Sequence, residues 1–174
     1  MPRSFAPCAA LGAVFGVCVG CSGETSSPDG ADGSQGGQGS VISAAASCQD
    51  DARVDTYAAN LFRSGLNGQL SFTLVSVVPA PPAKGQNTFT VEVQDAAGTP
   101  IEGDLTVDLL MPDHGHGTSV VPEITFDAAT NLYTLKPVYL FMSGVWRIRL
   151  NVYDDANDPS GLVDSADFYF CIGG

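Results

Sequence analysis

The sequence predicts an all-β fold: an antiparallel, immunoglobulin-like β-sandwich of about seven strands, with a short N-terminal helix and a disordered tether ahead of it. Three observations predict the sandwich. Apolar and polar residues alternate with period two in short runs, at the even spacing of a sandwich. The chain carries 20 glycines and 11 prolines, which supply turns between the runs. No long helical pattern separates the runs, so a parallel sheet with crossover helices is excluded.

The elements follow in order. Residues 52–62, ARVDTYAANLF, place Val54, Tyr57, Ala58, Leu61 and Phe62 at helical spacing. Asp50 or Asp51 would cap this helix and Gly65 would stop it. Residues 70–77 alternate through Leu70, Phe72 and Leu74. PAPPAKG at 79–85 then breaks the run, because proline has no place in a central strand. Residues 89–93 and 105–109 alternate again. Residues 124–126 and 132–135 read as a hairpin around 127–131. The longest run, 145–153, puts Trp146, Ile148, Leu150 and Val152 on one face. Residues 166–170 close the series, with Cys171 at the end.

Composition narrows the function. The 174 residues carry 7 Lys and Arg against 19 Asp and Glu, a net charge of −12. Nucleic acid is therefore excluded as a partner, since binding it needs cations against phosphate. The same charge makes the chain a poor candidate for electrostatic adhesion to anionic lipid. Apolar residues are 44% of the chain, enough for one core.

The first residues are a targeting segment. Residues 1–20 carry one cation, Arg3, then a small apolar stretch that ends at Gly20 before Cys21. The stretch is short for a membrane span and suits a secretory signal. Gly20-Cys21 resembles a lipoprotein cleavage site, at which Cys21 is lipidated; the alternative is an ordinary signal peptide. Residues 21–46 are rich in Gly, Ser, Asp and Gln and read as a flexible linker. The folded domain is expected over 47–174. Of five cysteines, Cys8 and Cys18 fall in the leader. Lipidation of Cys21 leaves Cys48 and Cys171 as a pair in an oxidising compartment, expected as a disulfide rather than as two buried thiols. For a loop of about 100 residues the entropy model sets an upper figure of roughly 4.7 kcal/mol.

Residues 111–117, MPDHGHG, hold the candidate chemistry. In an extended stretch His114 and His116 share a face. Gly115 and Gly117 let the backbone bend around an ion. A second stretch, FMSGVW at 141–146, adds Met142. Imidazole with thioether suits copper, whereas calcium and magnesium want oxygen. The expected ligands are Met111, His114, His116 and Met142, with Asp113 orienting a histidine. The alternative is that both methionines fill the core and the histidines shape a loop. The acids Asp154, Asp155 and Asp158 lack the spacing of a calcium loop. No G-x-S-x-G occurs, and both histidines sit in one loop, so no catalytic residue is assigned.

MPDHGHGT followed by FMSGVWRIRLNV resembles the YtkA-like family of small exported domains. The matching residues are Met111, Pro112, His114, Met142, Gly144 and Trp146, with Ser143 where the family usually has proline. The resemblance spans residues 68–154. It implies an exported β-sandwich, often on a lipoprotein, with a link to copper at the cell envelope, and it does not imply an enzyme activity. The expectation is thus a binding protein anchored through Cys21, at the outer rather than the inner membrane, with copper as cofactor and an envelope protein as partner. A metal-free interaction module is the alternative.

Overall fold

The computed structural model describes residues 48–155 and 158–173. The leader, the linker and Cys21 lie outside the described residues. Nine strands are described: β1 (Leu61–Ser64), β2 (Leu70–Val78), β3 (Gly85–Asp95), β4 (Asp104–Met111), β5 (His116–Gly117), β6 (Glu123–Asp127), β7 (Leu132–Leu140), β8 (Gly144–Tyr153) and β9 (Leu162–Ile172). One sheet has the order β1-β2-β3-β7-β6 and the other β5-β4-β8-β9. Every pairing is antiparallel. The expected sandwich is what the chain forms.

Alternation puts one face of each sheet into a shared core. Phe72 and Leu74 of β2 and Val91 and Val93 of β3 are buried. From the other sheet come Trp146, Ile148 and Leu150 of β8 and Phe168 and Phe170 of β9. Each such side chain contributes about 1.5–3 kcal/mol on burial. The opposite face of β8 is polar. Arg149 stands across from Asp167 and donates to both its carboxylate oxygens, at 2.7 and 2.6 Å.

The proline-rich segment lies between β2 and β3, as its composition requires. Buried Asn87 holds it: its Oδ1 accepts from Ala83 N at 2.9 Å and its Nδ2 donates to Ala83 O at 2.8 Å.

The helix expected over 52–62 does not form. Residues 52–60 are turn and extended chain, and Leu61 and Phe62 begin β1. The physical reason is tertiary. Asp55 N donates to Tyr169 O at 2.8 Å, and Asp55 Oδ2 accepts from Tyr169 N at 2.9 Å. The Tyr57 hydroxyl accepts from Val77 N at 3.0 Å. Backbone groups that a helix would use internally are spent on neighbouring strands. Two strands beyond the expected seven appear, β1 and the two-residue β5, in segments that read as helix and loop. Among the described residues, no helix is long and apolar enough to cross a membrane.

Candidate metal centre

Strand β4 delivers Met111 to the end of the sandwich, fully buried. The chain turns there. Met111 O accepts from His114 N at 3.1 Å and from Gly115 N at 2.9 Å. Gly115 takes φ +67°, a left-handed conformation that glycine enters without steric cost. β5 then returns with His116 directly opposite Met111.

The turn brings the two imidazoles together. Their ring centroids lie 5.6 Å apart, inclined by 57°. The expected reason was an extended stretch with both rings on one face. The actual reason is the turn: His114 sits within it and His116 begins the returning strand. His116 stacks on Phe141 at 5.9 Å, and Phe141 meets Trp146 edge-on at 5.6 Å. The histidine pair therefore stands on the aromatic rim of the core.

The second stretch arrives between β7 and β8. Trp146 Nε1 donates to Met142 O at 2.9 Å and so fixes the turn. Gly144 has φ +132° and faces the histidine loop. A Cβ at 144 would stand 2.9 Å from Met111 Cε and 3.9 Å from His114 Nε2. Met111 and His114 thus approach one point, at the α-carbon of the second stretch. Met142 holds the turn through its backbone oxygen, while its side chain is half-buried against the core rather than placed beside the histidines.

Asp113 takes a different partner from the expected one. It pairs with Arg53, whose Nη2 donates to Asp113 Oδ2 at 2.8 Å and to Asp51 Oδ2 at 2.6 Å. The reason is reach: the Asp113 carboxylate is exposed beside the docked 48–55 segment, which carries the cation. Hydrogen bonding from Arg53 holds Asp51 down to about 2 and keeps the Asp113 carboxyl below its ordinary range. Sequence gives no signal for Arg53, which lies 60 residues from Asp113.

A cavity of about 290 Å³ opens beside the loop, lined by Cys48, Asp51, Asp113, His114, Ser143, Gly144 and Val145. Cys48 is bonded to Cys171, with a Cα–Cα distance of 5.4 Å. The bond closes a sequence separation of 123 residues. Among the described residues, no group of three or more His, Cys, Asp and Glu has the arrangement to hold a metal ion. What the structure brings together is the pair of imidazoles, with the Met111 methyl and His114 Nε2 both beside Gly144.

The donor chemistry fits a soft or borderline ion. Oxygen-seeking cations would need carboxylates, and Asp51 and Asp113 are both engaged by Arg53. Imidazole nitrogen suits copper in either oxidation state, and soft thioether sulfur favours Cu(I).

Fold and site together define a small β-sandwich domain with a histidine–methionine loop at one end. Residues 67–151 match the family model described as YtkA-like, and this stretch is a YtkA-like domain. Such a domain suggests a small extracellular module. Comparison with curated proteins and with solved structures gives no match.

Proposed function

We propose that this chain is an exported, lipid-anchored binding protein that takes copper at the histidine loop. His114 and His116 supply nitrogen and Met111 supplies sulfur. Met142 is a fourth ligand that reaches the ion by turning its half-buried side chain outward. One observation carries this reading: the His114 and His116 rings lie 5.6 Å apart, with His114 Nε2 and the Met111 methyl both beside Gly144. Two imidazoles on one ion at about 2.0–2.1 Å per bond would set their ring centroids roughly 4.5–6.5 Å apart. The adjoining cavity gives the ion a way in. The net charge of −12 raises the local cation concentration modestly.

The test is titration of the full chain with Cu(I) and Cu(II), beside His114→Ala/His116→Ala. The expected result is at least a tenfold loss of affinity in the double variant. Indistinguishable binding curves remove the copper reading. In this proposal Cys21 is the lipid attachment point, at the outer membrane, and the domain binds rather than catalyses. Replacement of Cys21 by serine is expected to move the chain from the membrane fraction to the soluble one; membrane partition that persists overturns the anchor.

A second reading has its own observation. Met111 is fully buried, and His116 stacks on Phe141. On that reading the loop is a rigid, metal-free surface for an envelope protein partner. Unchanged stability on addition of copper would favour it, because an ion that binds only the folded state must stabilise it.

A further inference from the structure

The copper reading leaves one part of the site unused, the Cys48–Cys171 disulfide. Cys48 lines the cavity of His114. Cys171 lines a second cavity, of about 310 Å³, with Gln49, Asp55, Tyr57 and Phe170. The bond therefore has a cavity on each side. The β8–β9 register sets Cys171 opposite Val145 and Ile172 opposite Gly144. One sulfur is thus carried on the strand pair that carries the Gly144 turn.

Reduction would not release the segment that holds Cys48. Asp55 keeps two hydrogen bonds to the Tyr169 backbone, at 2.8 and 2.9 Å, and an ion pair with Arg63. Tyr57 keeps its bond from Val77 and its edge contact with Phe170, at 6.2 Å. Arg53 still spans Asp51 and Asp113. These contacts hold Cys48 beside Cys171 without the covalent bond.

We propose that Cys48 and Cys171 form a redox-gated donor pair for Cu(I) at the wall of the His114 cavity. A dithiol passes an electron pair to the disulfide. The S–S bond breaks, two protons are taken up, and two thiols form while the dithiol closes to its own disulfide. Cu(I) then displaces those two protons and binds both sulfurs as thiolates. Thiolate is charged and a better donor for Cu(I) than thioether, so reduction raises affinity and oxidation lowers it. This deepens the copper reading and rests on it for the choice of ion.

The test uses the full chain, reduced anaerobically with a dithiol and freed of it. Cu(I) is supplied from a chromogenic chelator, and alkylation by iodoacetamide is read at each cysteine by mass spectrometry. The expected result is at least tenfold tighter Cu(I) binding than in the oxidised chain. One equivalent of Cu(I) should slow alkylation of Cys48 and Cys171 at least tenfold. Equal affinities in the two states, or alkylation rates that Cu(I) leaves unchanged, overturn the proposal. Loss of the near-ultraviolet signal of Trp146 on reduction also overturns it, because the two thiols would then part. The oxidised chain tests the histidine loop separately. If it binds no copper while the reduced chain is protected, the histidine reading fails and the thiol pair stands.

Discussion

Met111 and Gly144 meet at the base of the histidine loop: a Cβ on residue 144 would stand 2.9 Å from Met111 Cε. The two residues come from separate stretches of chain, so their contact sets the end of β4 against the start of β8. Gly144 also has φ +132°, which L side chains rarely adopt. The variant Gly144→Ala is therefore expected to lose about 1–3 kcal/mol of stability from backbone strain. It should displace the Met111 methyl and weaken Cu(I) binding. Denaturant unfolding measures the first effect and chelator competition the second. A variant within about 0.5 kcal/mol of the parent, the range of a surface substitution, would show that the turn relaxes freely.

Asp164 anchors the opposite part of the fold. It is fully buried and accepts from Asn67 N at 2.7 Å and from Gln69 N and Leu70 N, both at 2.8 Å. Gly65 lies against its carboxylate so closely that a side chain there has no room. Burial pushes the Asp164 carboxyl up, but hydrogen bonds from four backbone amides together outweigh it and hold it below its ordinary value. A depressed folded value fixes the sign. The contribution is present above the unfolded value, about 3.9, and is lost as pH falls through the folded one. Asp164→Asn is expected to cost about 2–4 kcal/mol near neutral pH, because charge-assisted bonds are lost. Its stability should also fall less than the parent's as pH drops below about 4, near the unfolded aspartate value. Unfolding curves at pH 7 and pH 3 check both points; parallel losses would place the effect elsewhere.

Arg53 joins the 48–55 segment to the histidine loop through Asp51 and Asp113. Its hydrogen bond holds Asp51 to about 2. Removal of the guanidinium in Arg53→Ala should return Asp51 toward about 3.9, the ordinary value. The bridge is intact above the lowered value and opens as pH falls through it. Carboxyl chemical shifts followed through an acid titration report the change. An unmoved Asp51 would mean that the bridge is absent in solution.

The Cys48–Cys171 bond closes a loop long enough to restrict the unfolded chain strongly. Cys48→Ala/Cys171→Ala is expected to lose about 2–4 kcal/mol. The domain should still fold, because Asp55 and Tyr57 dock the same segment. Denaturant midpoints give the first quantity, and the near-ultraviolet spectrum of Trp146 gives the second.

Period-two alternation was legible wherever one face of a strand enters the core. Trp146, Ile148, Leu150 and Val152 share a face in the sequence and are all buried in the structure. The hairpin around residues 127–131 was legible for the same reason, and β6 and β7 pair across it. The segment 52–62 misled because five apolar residues at helical spacing carry no information about what competes for their backbone. Asp55 and Tyr57 found strands to bond with, and Phe62 went to an edge strand, 56% exposed. Asp113 misled for a related reason. Proximity in sequence placed it beside the histidines, while a cation 60 residues away reached its carboxylate.

The sequence by itself determined the layered β architecture, the side-chain chemistry available at Met111, His114 and His116, and the cysteine pair as the candidate bond. These follow from local pattern and residue chemistry, which need no knowledge of distant contacts. Only the tertiary structure decided that the histidine loop meets the Gly144 turn, that Arg53 bridges Asp51 and Asp113, and that the disulfide borders the same cavity. Those relations depend on strands far apart in the chain becoming neighbours. Pairing of that kind is set by the packing of the whole core rather than by any short stretch of residues.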